Sequence, residues 1–203
     1  MPEDLLARIG LAAGASVASG IRLYATVAAL GFLHRLEVLR LPAGLEVLSQ
    51  VPIIVLAASL YLIEFVADKV PAVDSVWDAV HTFIRAPAAA VLGFAAFGNV
   101  AEPWRIGAAL LCGTLALSSH GIKASSRLAI NTSPEPVSNW AASFAEEIFV
   151  AVLIWLAVVH PAIALGVAGV VLVVAVLLAA WIYRMLKRLL TRRAGSGLNS
   201  GQA

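Results

Sequence analysis

From Ala162 to Tyr183 the chain runs for a whole bilayer thickness with almost no polar side chain. About 20 such residues are what a helix needs to cross the hydrocarbon core. A backbone in lipid must satisfy its own hydrogen bonds, so the permitted answer is a helix. Five further stretches read the same way: about 5–33, 45–66, 83–100, 104–130 and 140–159. Together they predict an all-α, polytopic membrane protein of about six spans, forming one transmembrane domain over residues 1–194.

Composition agrees. Of the 203 residues, 61% are hydrophobic and 13% charged, and mean hydropathy is +0.93. Soluble domains carry about twice that charge. The formal net charge of +2 gives nucleic-acid binding no footing. Cys112 is the single cysteine, which excludes an intrachain disulfide and a cysteine-based metal cluster. The start, with Glu3 and Asp4, lacks the basic region of a signal peptide. Residues 195–203 show no apolar periodicity and read as a disordered tail.

Arg184, Lys187, Arg188, Arg192 and Arg193 follow the last span. The positive-inside rule places them in the cytoplasm. With six spans, both termini would then be cytoplasmic. Arg8 and Lys69 would share that side, and Arg35, Arg40 and Arg105 would lie opposite.

Two polar islands interrupt the apolar chain, and this topology puts both on the cytoplasmic side. The first runs from Glu64 to Arg85. Glu64 and Asp68 share a helix face at the end of the second span. Asp74, Asp78 and His81 fall at i, i+4 and i+7 on a separate amphipathic segment, lying at the interface or dipping into the protein. Asp74 suits an N-cap there, and Lys69 and Arg85 suit topology charges. The sequence specifies no cofactor; the same three residues are candidate ligands for a divalent cation, through which a phosphate-bearing substrate would bind.

The second island runs from Asn131 to Glu147. Ser133 before Pro134 has the form of a cap followed by a first-turn proline, and Ser138 or Asn139 can cap the fifth span. Glu146 and Glu147 enter that span by about two turns and need cations, hydrogen bonds or protons there. Lys123 and Arg127 are the expected partners, with Arg22 and His120 close by. The candidate ion- or substrate-binding set is therefore Arg22, Glu64, Asp68, His120, Lys123, Arg127, Asn131, Asn139, Glu146 and Glu147.

A weak internal echo pairs Gly20-Ile21-Arg22 with Gly121-Ile122-Lys123. Three spans per half would make residues 1–100 and 101–190 two inverted repeats, a pattern of secondary transporters. Gly20 and Gly121 would then meet at a pseudo-symmetric contact.

At the two islands and the Gly-Ile-Arg and Gly-Ile-Lys segments, the chain resembles a bacterial integral-membrane family catalogued as domain of unknown function number 4126. The resemblance implies a polytopic inner-membrane protein and supplies no activity. The expected function is a small transporter or lipid translocator for an ion, a small solute or an anionic lipid. The alternatives are a metal-dependent enzyme acting on a phosphate-bearing lipid, and a non-catalytic scaffold. Expected partners are membrane lipids and a second copy of the chain.

Overall fold

The computed structural model describes residues 2–132 and 136–199. They form seven α-helices and one 3-10 segment, with no strand among the described residues. The helices are α1 (Pro2–Ile21), α2 (Leu23–Arg35), α3 (Val51–Ala67), α4 (Pro71–Ala96), α5 (Glu102–Ile130), α6 (Pro136–Val159) and α7 (Pro161–Asn199), with the 3-10 segment Ala43–Ser49 leading into α3. Three helices are long and apolar enough to cross a membrane, at Ala72–Ala96, Val137–Val159 and Pro161–Arg188. A fourth is added if the 3-10 segment and α3, bent by 67°, count as one span.

Prolines punctuate the helices as their chemistry demands. Pro52, Pro71 and Pro103 stand in first turns, where the missing N–H has no partner to lose. Pro87 lies inside α4.

α1 occupies the middle. Its small residues Ala12, Ala13, Ala15 and Ala18 are buried with Val17 among Leu115, Leu153, Ala157, Ala164 and Ala168. Glycine lets the backbones close up. A Cβ on Gly14 would sit 2.7 Å from that of Ala157, and one on Gly20 only 2.2 Å from the Ala116 carbonyl oxygen. Such close packing of small residues substitutes for a hydrophobic drive that lipid does not supply.

The direction of each helix follows from these contacts. Gly10 touches Pro161, at the α6–α7 turn. Leu5 and Ile9 share a cavity with Phe97, Val100 and Trp104, around the α4–α5 turn. We call this the near end. Farther along, Val17 meets Ser119 and Ile21 meets Lys123, so α1 and α5 run in the same direction. At Arg22 the helix breaks, with φ −140° and ψ 81°. α2 then runs back. Ala25, Ala28 and Ala29 lie beside Glu147, Val150 and Ile154 of α6, and Gly31 packs on the Leu48 carbonyl just before α3. α1 and α2 therefore form a V that begins and ends at the near end, with Arg22 at its tip.

Three expectations are not met. The first apolar stretch is one helix in and one helix back, not a single crossing. Ile182 of α7 lies beside Ser125, so the two ends of the described chain sit at opposite ends of the bundle, and Arg8 joins the end that holds Arg35, Arg40 and Arg105. The Gly-Ile-Arg and Gly-Ile-Lys segments lie on parallel helices, whereas inverted repeats would oppose them, and Gly121 touches nothing within 4 Å. The helix α7 is described as far as Asn199. Residues 200–203 of the expected tail lie outside the described residues.

Candidate functional site: a buried charge network

Arg22 is completely buried. An unpaired charge there would be prohibitively costly, and two helices answer it. Asp68, the C-cap residue of α3, forms the closest ion pair with Arg22 Nη1. On α6, Glu146 lies 3.0 Å from Nη2 and Glu147 3.3 Å from Nε, while Ser143 Oγ accepts from Nη2 at 3.1 Å. The break at Arg22 aims this fork: Thr26 Oγ1 caps the Arg22 carbonyl at 2.8 Å, so the side chain projects from a stabilised corner.

α5 supplies the next cations. Lys123 Nζ sits 3.1 Å from Asp68 Oδ2, 3.4 Å from Asp78 and 3.5 Å from Glu146. Arg127 grips Glu146 with two nitrogens, at 2.7 and 3.1 Å. Its Nη1 donates to Asn139 Oδ1 at 2.6 Å and to the Asp68 carbonyl at 3.3 Å. Asn139 is thus an acceptor inside α6 rather than the cap of that helix, which starts at Pro136. The proposed Ser133–Pro134 cap lies outside the described residues.

On α4, Asp74, Asp78, His81 and Arg85 form one buried face. The first island is continuous with the third apolar stretch, and no separate interfacial segment exists. Val70, not Asp74, is the N-cap residue. Arg85 pairs with Glu64, approaches Asp78 at 3.5 Å, and donates to the Gly20 carbonyl at 3.0 Å. It also donates to His120 Nδ1 at 2.8 Å, which fixes the neutral His120 tautomer. The Nε2–H of His120 then faces the Asp78 carbonyl at 3.1 Å and Thr82 Oγ1 at 2.8 Å.

Asp74, Asp78 and His81 do not converge. Asp74 accepts from Asn131 Nδ2 at 2.9 Å, tying the end of α5 to the start of α4. Asp78 faces Arg85 and Lys123. His81 donates from Nδ1 to the Trp77 carbonyl at 2.8 Å, accepts from Tyr24 at Nε2 at 3.1 Å, and stacks on Trp77. Among the described residues, no group of three or more His, Cys, Asp or Glu side chains is arranged to hold a metal ion. The divalent-cation triad read from the spacing is therefore corrected: shared-face spacing along one helix fixes direction, but each side chain found a different partner.

In the α3–α4 connector, burial raises the Asp68 carboxyl, but Lys123 and Arg22 outweigh it and hold the group below the ordinary carboxylate range. Burial, reinforced by Arg22, lowers the Lys69 ammonium, which lies over the Phe65 ring and donates to Ser143 Oγ at 3.3 Å.

The network thus gathers Arg22, Glu64, Asp68, His120, Lys123, Arg127, Asn139, Glu146 and Glu147 of the expected set, and places Asn131 at its edge. It also takes in Arg85, Asp78, Ser143 and Tyr61, which the sequence reading left elsewhere or passed over. Arg85 was findable, because it extends the Asp74, Asp78, His81 face by one more turn. Tyr61, one turn before Glu64, donates to Glu147 Oε2 at 2.9 Å. Four cations, Arg22, Arg85, Lys123 and Arg127, face five carboxylates, Glu64, Asp68, Asp78, Glu146 and Glu147.

Fold and site together define a helical membrane-type bundle folded around a central ion-pair network. The chain belongs to the family described as domain of unknown function DUF4126, whose sequence profile matches residues 9–181. No curated protein and no solved structure matches it.

Proposed function

We propose that this protein is a small membrane transporter, moving an ion, a small solute or an anionic lipid, with the charge network as its central switch. One observation carries the reading: Arg22 stands at the tip of a broken, returning helix pair, held by carboxylates from two other helices. Broken helices that bring charge to mid-bundle are a device of transport proteins, where irregular backbone is tolerated next to a binding site. Ion pairs that can exchange partners provide two arrangements of similar energy. Lys123 supports this, lying within 3.5 Å of three different carboxylates.

In this reading α3, α4, α5, α6 and α7 cross the membrane and the α1–α2 pair re-enters. The end bearing Lys69, Arg127 and the basic stretch after Tyr183 faces the cytoplasm by the positive-inside rule. The start of α1 then faces outward. A bacterial inner membrane, with lipids as neighbours, is the proposed location.

The test is flux. Purified protein in liposomes, given an imposed pH gradient and a broad panel of ions and lipids, should move at least one of them faster than protein-free vesicles do. Equal rates across the panel would defeat the reading. A scaffold is the second reading, favoured by one observation: all four network cations already have carboxylate partners. The metalloenzyme alternative has lost its motivation with the dispersal of Asp74, Asp78 and His81.

A further inference from the structure

The five carboxylates of the network are not equivalent. Glu64, Asp68 and Asp78 are almost wholly buried, at 0%, 0% and 5% side-chain exposure. Glu146 is 15% exposed but is gripped by Arg127 through two nitrogens and approached by Arg22 and Lys123. Glu147 is the most exposed, at 18%, and has one ion pair, with Arg22 Nε at 3.3 Å. Its Oε1 takes no hydrogen bond, and its Oε2 accepts only from Tyr61.

Glu147 also borders an open groove. It lies in a groove of about 240 Å³ between α2, α3 and α6, whose walls are Ala25, Ala28, Ala58, Ala151 and Ile154. Small side chains keep that groove open. A carboxylate at its base gains little solvation from such walls, so its charge depends on Arg22 and the Tyr61 hydroxyl. Held by one ion pair and one hydroxyl, Glu147 is the carboxylate of the network that a proton can most simply neutralise.

We propose that Glu147 is the exchangeable proton site of this network, reached through the alanine-lined groove, with Tyr61 as the donor that holds its charged form. The assignment deepens the transport reading by making the proton the coupling ion, but its chemistry does not depend on flux. Proton gain at Glu147 weakens its attraction for Arg22 and leaves that guanidinium to Asp68 and Glu146. The charged and titratable groups around Glu147 are Arg22 at the helix tip, Tyr61, Glu64 and Asp68 of α3 and its cap, Lys69 of the connector, and Glu146 beside it. No titratable group of α2 lines the groove.

An apolar carbodiimide tests this, because it adds to protonated carboxyls in apolar surroundings and leaves a stable acylurea. Wild-type protein in liposomes, without any gradient, is treated across a pH series and the modified residue located by mass spectrometry. Modification should fall on Glu147 and decline about tenfold per pH unit above its titration point, the slope of a single proton. Tyr61→Phe should carry the modification to higher pH, since removing the donor favours the neutral acid. Glu147→Gln should abolish it. Modification confined to Glu64 or Glu146, none at any pH, or an amount at Glu147 independent of pH would each overturn the proposal. The wild-type pH series decides the matter even if Tyr61→Phe fails to fold. A protein modified at Glu147 that moves no substrate would count against the transport reading alone.

Discussion

At the scale of single residues, the network shows why a charge can be safe in an apolar chain. Arg22 has no exposed surface, and its safety rests on carboxylates from α3 and α6. Removing one member of a buried pair strands the others. Arg22→Ala should therefore lower stability by about 3–5 kcal/mol, read as thermal unfolding in detergent. Arg22→Lys should lose less, keeping the charge while giving up the fork that reaches Asp68, Glu146 and Glu147 together. Asp68 makes a pH prediction. Its carboxyl is held below the ordinary range by Lys123 and Arg22 despite burial. A depressed carboxyl stabilises fully above its unfolded value, about 3.9, and that share fades as pH falls through the lower folded value. Wild-type stability should thus drop on acidification below about pH 4. Asp68→Asn should be less stable at neutral pH and lack this component, as a melting series against pH would reveal.

At the scale of elements, helix contacts are set by what glycine omits. A methyl group on Gly20 would lie 2.0 Å from Ser119 Oγ and 2.2 Å from the Ala116 carbonyl, and one on Gly121 would meet nothing. Gly20→Ala should cost about 1–3 kcal/mol through overpacking. Gly121→Ala should be neutral or stabilise by up to about 1 kcal/mol through helix propensity. The pair can be compared by thermal unfolding and expression level. This inequality also explains why the echo between the two segments misled. A local match in Gly-Ile-cation records composition and turn spacing, and it carries no information about helix direction. Apolar runs, by contrast, were legible, since each was long and interrupted only by turn chemistry. The helical segments fell close to the expected stretches for that reason. The convergence of Arg22, Lys123, Arg127, Glu146 and Asp68 was legible too, because charges within apolar helices have few places to go. The reversal at Arg22 was not, because one residue's φ and ψ decide it and no proline or glycine occupies that position. Arg85 pairs with Glu64 inside the bundle, where its place one turn beyond His81 on the same helix face puts it, and so is not a topology charge.

At the scale of the whole molecule, the V of α1 and α2 bears on the proposed count of crossings. A chain with six crossings has both ends on one side, whereas five crossings and a re-entrant pair separate them. An epitope fused ahead of Pro2 and a cysteine introduced by Thr132→Cys, on a Cys112→Ala background, should be reached from opposite sides of intact cells or sealed vesicles. Thr132 is exposed at the end of α5, beside the charged end of the bundle. Access to both from the same side would restore the six-crossing arrangement and dissolve the V.

The dependence of Arg22 on α6 sets an order of events during synthesis. Ser143 is 121 residues downstream of Arg22, with Glu146 and Glu147 just after it. When the ribosome has delivered the first two helices, their tip has no acidic partner, and Asp68 arrives well before the rest. The tip therefore gains its full set of partners only once α6 has been made. A nascent chain halted before α6 would hold Arg22 against Asp68 alone. The last third of the polypeptide thus completes the charge balance of the first.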